Sequence, residues 1–195
     1  MRLLRASPNA TLLLVLTAAS AFAHTGSLSG GFLGGFTHPL FGPDHVVAMV
    51  AVGLWGALLG TPQMLVLPIL FPLVMAVGGA LGIVGVPLPA AEFAIAASAF
   101  VLGLMVATAA RPPLWVAATI VGAFAIFHGY AHGTELPAGA DAAAYSIGFV
   151  MATGLLHLAG IFLGLTVRWP AGRIGVRGTG AAIACAGLIF LWRLA

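Results

Sequence analysis

Six apolar stretches follow one another along this chain with only short breaks between them: Gly42–Gly60, Met64–Val84, Ala90–Ala109, Leu114–Tyr130, Ala142–Val167 and Gly178–Leu194. A helix needs roughly 17 to 25 predominantly apolar residues to cross the hydrocarbon of a bilayer, and each stretch is of that order. Backbone polar groups find no water at that depth, so they must be satisfied within the segment, as in a helix. The breaks carry turn residues: Thr61-Pro62, Gly85–Pro89, Arg111-Pro112-Pro113, Gly133–Asp141 and Arg168–Arg177. The expected fold is all-α, a polytopic membrane helix bundle of six transmembrane helices. It fills residues 24–195 as one domain, with no soluble domain. Composition agrees, since 6% of residues are charged against about 25% in a soluble domain. Pro68 and Pro72 should kink the second span. Gly78/Gly82 and Gly160/Gly164 are small-xxx-small pairs that let helices approach closely. Gly30-Gly31 and Gly34-Gly35 predict a loose or broken approach to the first span.

Residues 1–23 read as a cleavable signal peptide. Arg2 and Arg5 precede the apolar run Leu12–Ala19, and Ala21-Phe22-Ala23 is a small-x-small cleavage site. Cleavage there would start the mature chain at His24. Its amine and imidazole could form a chelating pair, although a solvated terminus is the simpler reading. A cleaved signal leaves the mature N-terminus periplasmic in a bacterial inner membrane. Six spans then put the breaks at Thr61, Arg111 and Arg168–Arg177 on the cytoplasmic side. Those breaks hold Arg111, Arg168, Arg173 and Arg177 while the opposite breaks hold none, in line with the positive-inside tendency. The chain has no lysine and no basic stripe, so its positive charge is no nucleic-acid footprint. Cys185 is the single cysteine, which excludes an internal disulfide and reads as packing.

Against this apolar background the ionisable residues stand out, because each costs several kcal/mol in hydrocarbon and those that persist usually have a function. Most of the six histidines and four acidic residues fall in two clusters, His38-Pro39-Leu40-Phe41-Gly42-Pro43-Asp44-His45 and Phe127-His128-Gly129-Tyr130-Ala131-His132-Gly133-Thr134-Glu135. Pro39 and Pro43 argue against a regular helix across the first cluster, with helix resuming at Pro43. Asp44 then lies in a first turn, where the helix dipole favours it. In the second cluster His128 and His132 are four apart and share a helix face, joined by Glu135 if the helix continues. Imidazoles with carboxylates suit a borderline divalent metal such as nickel, cobalt or zinc. Helix capping by Asp44 and an interfacial histidine pair are the alternatives.

The predicted topology brings both clusters and Glu92 to one membrane side, with His157 alone deep in the fifth span. Glu92 reads equally as ligand, proton carrier or helix N-terminal charge. His157 reads as a hydrogen-bonded interior group or as a relay. Met49, Trp55 and Phe71 read as packing. No zinc-protease helix, nucleophile turn or phosphate-binding loop is present, so the chain has no means of hydrolysing ATP and is not expected to be an enzyme.

The stretches H-P-L-F-G-P-D-H (His38–His45) and F-H-G-Y-A-H-G-x-E (Phe127–Glu135), with the signal peptide and six spans, resemble the HupE/UreJ family of hydrogenase and urease accessory membrane proteins, regarded as nickel permeases. The resemblance covers nearly the whole mature chain. It implies that His38, Asp44, His45, His128, His132 and Glu135 are the functional, metal-handling positions. It also implies a transport-supporting role for Glu92, and more weakly for Phe71. His157 is added as a support from its depth alone. The first motif is similar to the H-x4-D-H signature of larger nickel/cobalt permeases, but here five residues separate His38 from Asp44. Nickel itself comes from the resemblance, since these ligand types do not separate it from cobalt. The expected function is secondary uptake of nickel, or of cobalt, for hydrogenase or urease maturation. The expected partners are the ion, the bilayer and nickel-enzyme maturation proteins. A non-transporting, metal-binding assembly factor is the alternative, and an intramembrane metal hydrolase a weaker one.

Overall fold

A proline decides how the described part of the chain begins. The residue before a proline is steered away from helical geometry, and Gly42, before Pro43, is extended at φ −82°, ψ 108°. In the computed structural model, which describes residues 30–136 and 139–195, this separates helix α1 (Phe32–Phe41) from α2 (Pro43–Leu59). The two meet at 81°. The predicted signal peptide and His24 lie outside the described residues. Further helices are α3 (Gln63–Ile83), α4 (Ala91–Thr108), α5 (Leu114–Glu135), α6 (Ala142–Gly164) and α7 (Pro170–Leu194), the last two joined by a 3₁₀ turn at Leu165–Arg168.

Helices α3 to α7 are each long and apolar enough to cross a membrane, the α6 span counted with its 3₁₀ turn, and α1 and α2 pass the same test only as a bent pair. The protein is therefore an all-α polytopic membrane bundle of five such helices, or six with the bent pair as one span. The expectation of irregular backbone up to Gly42 is corrected: α1 is helical, with Pro39 inside it. The broken approach expected of the glycines is present as the 81° bend, and Gly30-Gly31 precede the helix, but Gly34-Gly35 lie within α1. Gly35 and Gly148 carry no side chain where α1 and α6 lie backbone to backbone, against Tyr145 and Phe32 respectively. These contacts hold α1 in place despite the backbone hydrogen bond that Pro39 cannot make. Helix α5 runs past its expected end at Tyr130 to Glu135, and α7 starts at Pro170 rather than Gly178.

Helix α2 is the centre of the bundle. It packs against α1, α3, α4, α6 and α7. Nearly every residue from Ala48 to Leu58 is buried, as expected of a helix apolar all round. Its closest neighbour crossing is with α6, where Gly53 meets the His157 carbonyl and Gly160 meets that of Val50. The pair Gly78/Gly82 likewise seats α3 against the α5 backbone at Ile126 and Tyr130. Large apolar side chains such as Leu65, Ile69, Leu73, Trp115, Phe162 and Ile174 point outward, a surface suited to lipid. At one end of the bundle Arg177 donates to the Ala107 carbonyl at the close of α4, and Trp55 donates to Ala110. These bonds satisfy backbone oxygens that a helix end leaves free. The histidine and carboxylate clusters gather at the opposite end.

Candidate metal centre

The Gly42 break is what brings the first cluster together. It turns the chain between His38, in the last turn of α1, and His45, in the first turn of α2, so that the two rings meet edge to face with centroids 5.7 Å apart. Helix α5 supplies the third ring. His132 lies 4.8 Å from His38 and 4.5 Å from His45 by ring centroid. One nitrogen from each of His38, His45 and His132 can be chosen so that all three lie within 4.8 Å of one another. Phe149 of α6 packs 4.3 Å from the His132 ring and forms the apolar wall of the cluster.

Around this triad the carboxylates take two positions. Asp44 Oδ1 is 2.9 Å from His45 Nδ1. A carboxylate only accepts, so the ring proton sits on Nδ1 and Nε2 carries the lone pair. The approach is bent off the N–H direction, leaving Nδ1 without a well-directed hydrogen bond. Gly42 is part of this geometry, since a Cβ there would lie 2.9 Å from His45 Nδ1 and 3.3 Å from Asp44 Oδ1. His45 Nε2 in turn faces His132 Nε2 at 2.6 Å. Two nitrogens bound side by side to one ion, each about 2.1 Å from it, stand about 3 Å apart. Glu135 Oε2 is 3.8 Å from His132 Nδ1 and 3.9 Å from His38 Nε2, and its side chain is 61% exposed. Asp44 thus stands behind a ring and Glu135 at the mouth.

One turn along α5, fully buried His128 lies 5.2 Å from the His45 ring. Its Nε2 is 3.0 Å from Ser98 Oγ, and that hydroxyl is 2.6 Å from the Ile95 carbonyl. A carbonyl only accepts, so the Ser98 proton goes to Ile95 and the hydroxyl accepts from His128 Nε2–H. His128 Nδ1 is then a bare lone pair, and it has no partner among the described residues. Phe71 of α3 touches both His128 and His157, with centroids 5.6 Å and 5.5 Å away. Glu92 does not reach the triad. It lines a crevice of about 480 Å³ with Tyr130, Ala131, Thr134 and Glu135, outside the cluster. His157 is likewise apart, beyond Phe71.

The structure therefore joins His38, His45 and His132, sets Asp44, Glu135 and His128 beside them, and separates Glu92 and His157. Sequence reasoning missed Ser98, Phe149 and Thr153. Ser98 could have been noticed as the hydroxyl in the middle of an otherwise apolar span. The other two belong to a four-residue spacing, Tyr145, Phe149, Thr153 and His157, that marks one face of α6. Buried imidazole nitrogens without partners among the described residues, Nδ1 of His128 and of His132, are costly in a bundle interior. A cation is the ligand that would satisfy them.

A polytopic membrane bundle with a buried histidine cluster at one end defines a class: membrane proteins that handle a metal ion. The comparison with known proteins narrows it. The family described as "HupE / UreJ protein" matches residues 12–190, and the chain belongs to that family. It is 44% identical over 181 residues to "Protein HupE" of Rhizobium leguminosarum bv. viciae, covering 93% of this chain and 95% of that protein. No solved structure matches. Membership associates the chain with nickel and metal handling, in a family of transport and accessory proteins rather than enzymes.

Proposed function

We propose that this protein is a secondary permease that takes up nickel ions across the bacterial inner membrane, with cobalt as the related substrate, to supply the maturation of a hydrogenase or urease. The observation that carries the reading is the convergence of His38, His45 and His132 from three helices, with nitrogens within 4.8 Å of one another. Three borderline nitrogen donors with a carboxylate at the mouth suit Ni²⁺ or Co²⁺.

The chemistry follows from the placement of each group. Cleavage of the signal peptide leaves the mature N-terminus periplasmic, so the cluster end faces the periplasm. Glu92 and Glu135, lining one crevice, attract the hydrated cation. The triad replaces part of its water shell. Asp44 holds the His45 proton on Nδ1 and so aims the Nε2 lone pair at the ion. His128, one turn further in with Nδ1 free, is the next donor. An inside-negative potential favours inward movement by about 2.3 kcal/mol per charge per 100 mV, or roughly twice that for a divalent ion.

The test is nickel uptake by proteoliposomes of purified protein, metal by metal, under an imposed potential. Uptake that is lost with His45→Ala and His132→Ala is the expected result. Undiminished uptake in both variants would overturn the reading. Nickel bound by the wild type but never moved across the bilayer would instead identify a non-transporting assembly factor that passes the ion to a maturation partner.

A further inference from the structure

Below the triad lies a second group of buried polar atoms that the capture of the ion does not use. Thr153 and His157 are 0% and 1% exposed. They are four residues apart on α6, so they share a face one turn from each other. Among the described residues the Thr153 hydroxyl has no partner, and neither nitrogen of His157 makes a well-directed hydrogen bond.

For Thr153 this departs from the other helical threonines among the described residues. Thr37, Thr108, Thr119, Thr134, Thr166 and Thr179 each donate to a carbonyl three or four residues earlier. That local bond is the usual recourse of a hydroxyl in a helix. Thr153 forgoes it, and its hydroxyl is left for something else.

Across from this face, α3 offers an acceptor. In a helix the carbonyl of residue 68 is taken by the N–H of residue 72, but residue 72 is proline and has none. The Pro68 carbonyl is freed and lies against the His157 ring. Beside it a crevice of about 370 Å³, lined by Pro68 and His157 and otherwise by apolar residues such as Val150, Met151, Leu155 and Leu158, opens toward the outer surface of the bundle.

We propose that Thr153, His157 and the Pro68 carbonyl form a second, inner station for the divalent cation, separated from the histidine triad by Phe71. One imidazole, a hydroxyl and a carbonyl are acceptable donors for a borderline divalent ion that keeps part of its own hydration shell. The set contains no carboxylate, so it holds the ion more weakly than the outer cluster. That ordering is what conduction requires, because an ion must be able to leave each site it enters. Phe71, in contact with both His128 and His157, is the apolar partition between the two stations.

This inference rests on the permease reading, and the experiment separates the two. Nickel uptake into proteoliposomes and equilibrium nickel binding in detergent are measured for wild type, His157→Gln, Thr153→Val and Pro72→Ala. The last substitution restores the N–H that would occupy the Pro68 carbonyl. The expected result is uptake slowed by about tenfold or more in each variant, with binding at the outer cluster retained within about twofold. Retained binding also certifies folding. Thr153→Val is nearly isosteric and carries the test should His157→Gln fail to fold. Wild-type rates in both Thr153→Val and Pro72→Ala overturn the inner station while leaving the permease intact. A wild type that moves no nickel overturns the permease and the station with it.

Discussion

Asp44 is the residue whose role the geometry defines most sharply, and Asp44→Asn tests it. The carboxylate stands 2.9 Å behind His45 Nδ1. An ion on His45 Nε2 would therefore lie roughly 7 Å from it, with the ring in between. At that separation a divalent cation and a carboxylate attract by roughly 5 kcal/mol at an effective dielectric of about 20, and by about 1 kcal/mol in bulk water. The Asp44 side chain is 34% exposed, which places the interaction toward the lower part of that range. Removal of a group that orients a metal-binding imidazole typically costs about 10- to 100-fold in affinity, or about 1.4 to 2.7 kcal/mol. The two arguments agree, and the expected loss for Asp44→Asn is about 2 kcal/mol, roughly 30-fold in Kd.

The assay is isothermal titration of Ni²⁺ into purified protein in detergent near neutral pH. Asp141→Asn is the control. Asp141 caps α6 by accepting from the Ala144 amide, and asparagine caps about as well. It should leave the affinity unchanged. A Kd for Asp44→Asn within about twofold of wild type would show that the carboxylate does not act through His45. A loss beyond about a thousandfold would show that it binds the ion itself, and would equally refute the argument.

Gly42→Ala places a methyl 2.9 Å from His45 Nδ1, and overpacking of this kind costs about 1 to 3 kcal/mol. The expected result is nickel binding weakened about tenfold or more, read by the same titration. Ser98→Ala leaves the buried His128 Nε2–H without its acceptor, which costs about 1 to 3 kcal/mol. A lower unfolding midpoint in detergent, with an altered imidazole ¹⁵N tautomer signature, checks it. Gly53→Val drives a side chain into the His157 carbonyl at the α2–α6 crossing. It should lower the yield of folded protein on size exclusion more than any of the other substitutions named here. Imidazole binds a metal only when deprotonated, so protons compete with nickel. Affinity should therefore fall as pH is lowered, which titration across pH measures.

The clusters were legible because their residue types are expensive where they sit, and the spans because apolar length is a coarse signal that survives local irregularity. The breaks were harder, for a physical reason. Pro39 and the paired glycines before the first span carry a local preference against helix, yet α1 is helical because Gly35 and Gly148 let two backbones touch. That stabilisation is tertiary and has no local signature. The end of α5 is hidden for a similar reason: Gly133 opens a stretch rich in turn residues, but it seats the helix on the α3 backbone at Gly79. Had α5 stopped at Tyr130, His132 would have left the face it shares with His128, and the third nitrogen of the triad would have been lost.

Thr153 shows what sequence could not carry at all. A threonine in an apolar helix is ordinary, and its usual bond to the preceding turn makes it silent. Only the absence of that bond, beside a histidine with no well-directed partner and a carbonyl released by a proline on another helix, makes it informative. The two prolines of α3 read in sequence only as sources of a kink. Their more specific effect is to free backbone oxygens inside the bundle, and one of these faces His157. The histidine–carboxylate cluster explains how an ion would be caught. A backbone oxygen exposed by Pro72, below a phenylalanine that touches histidines on both sides, is the kind of weak donor that would let it go.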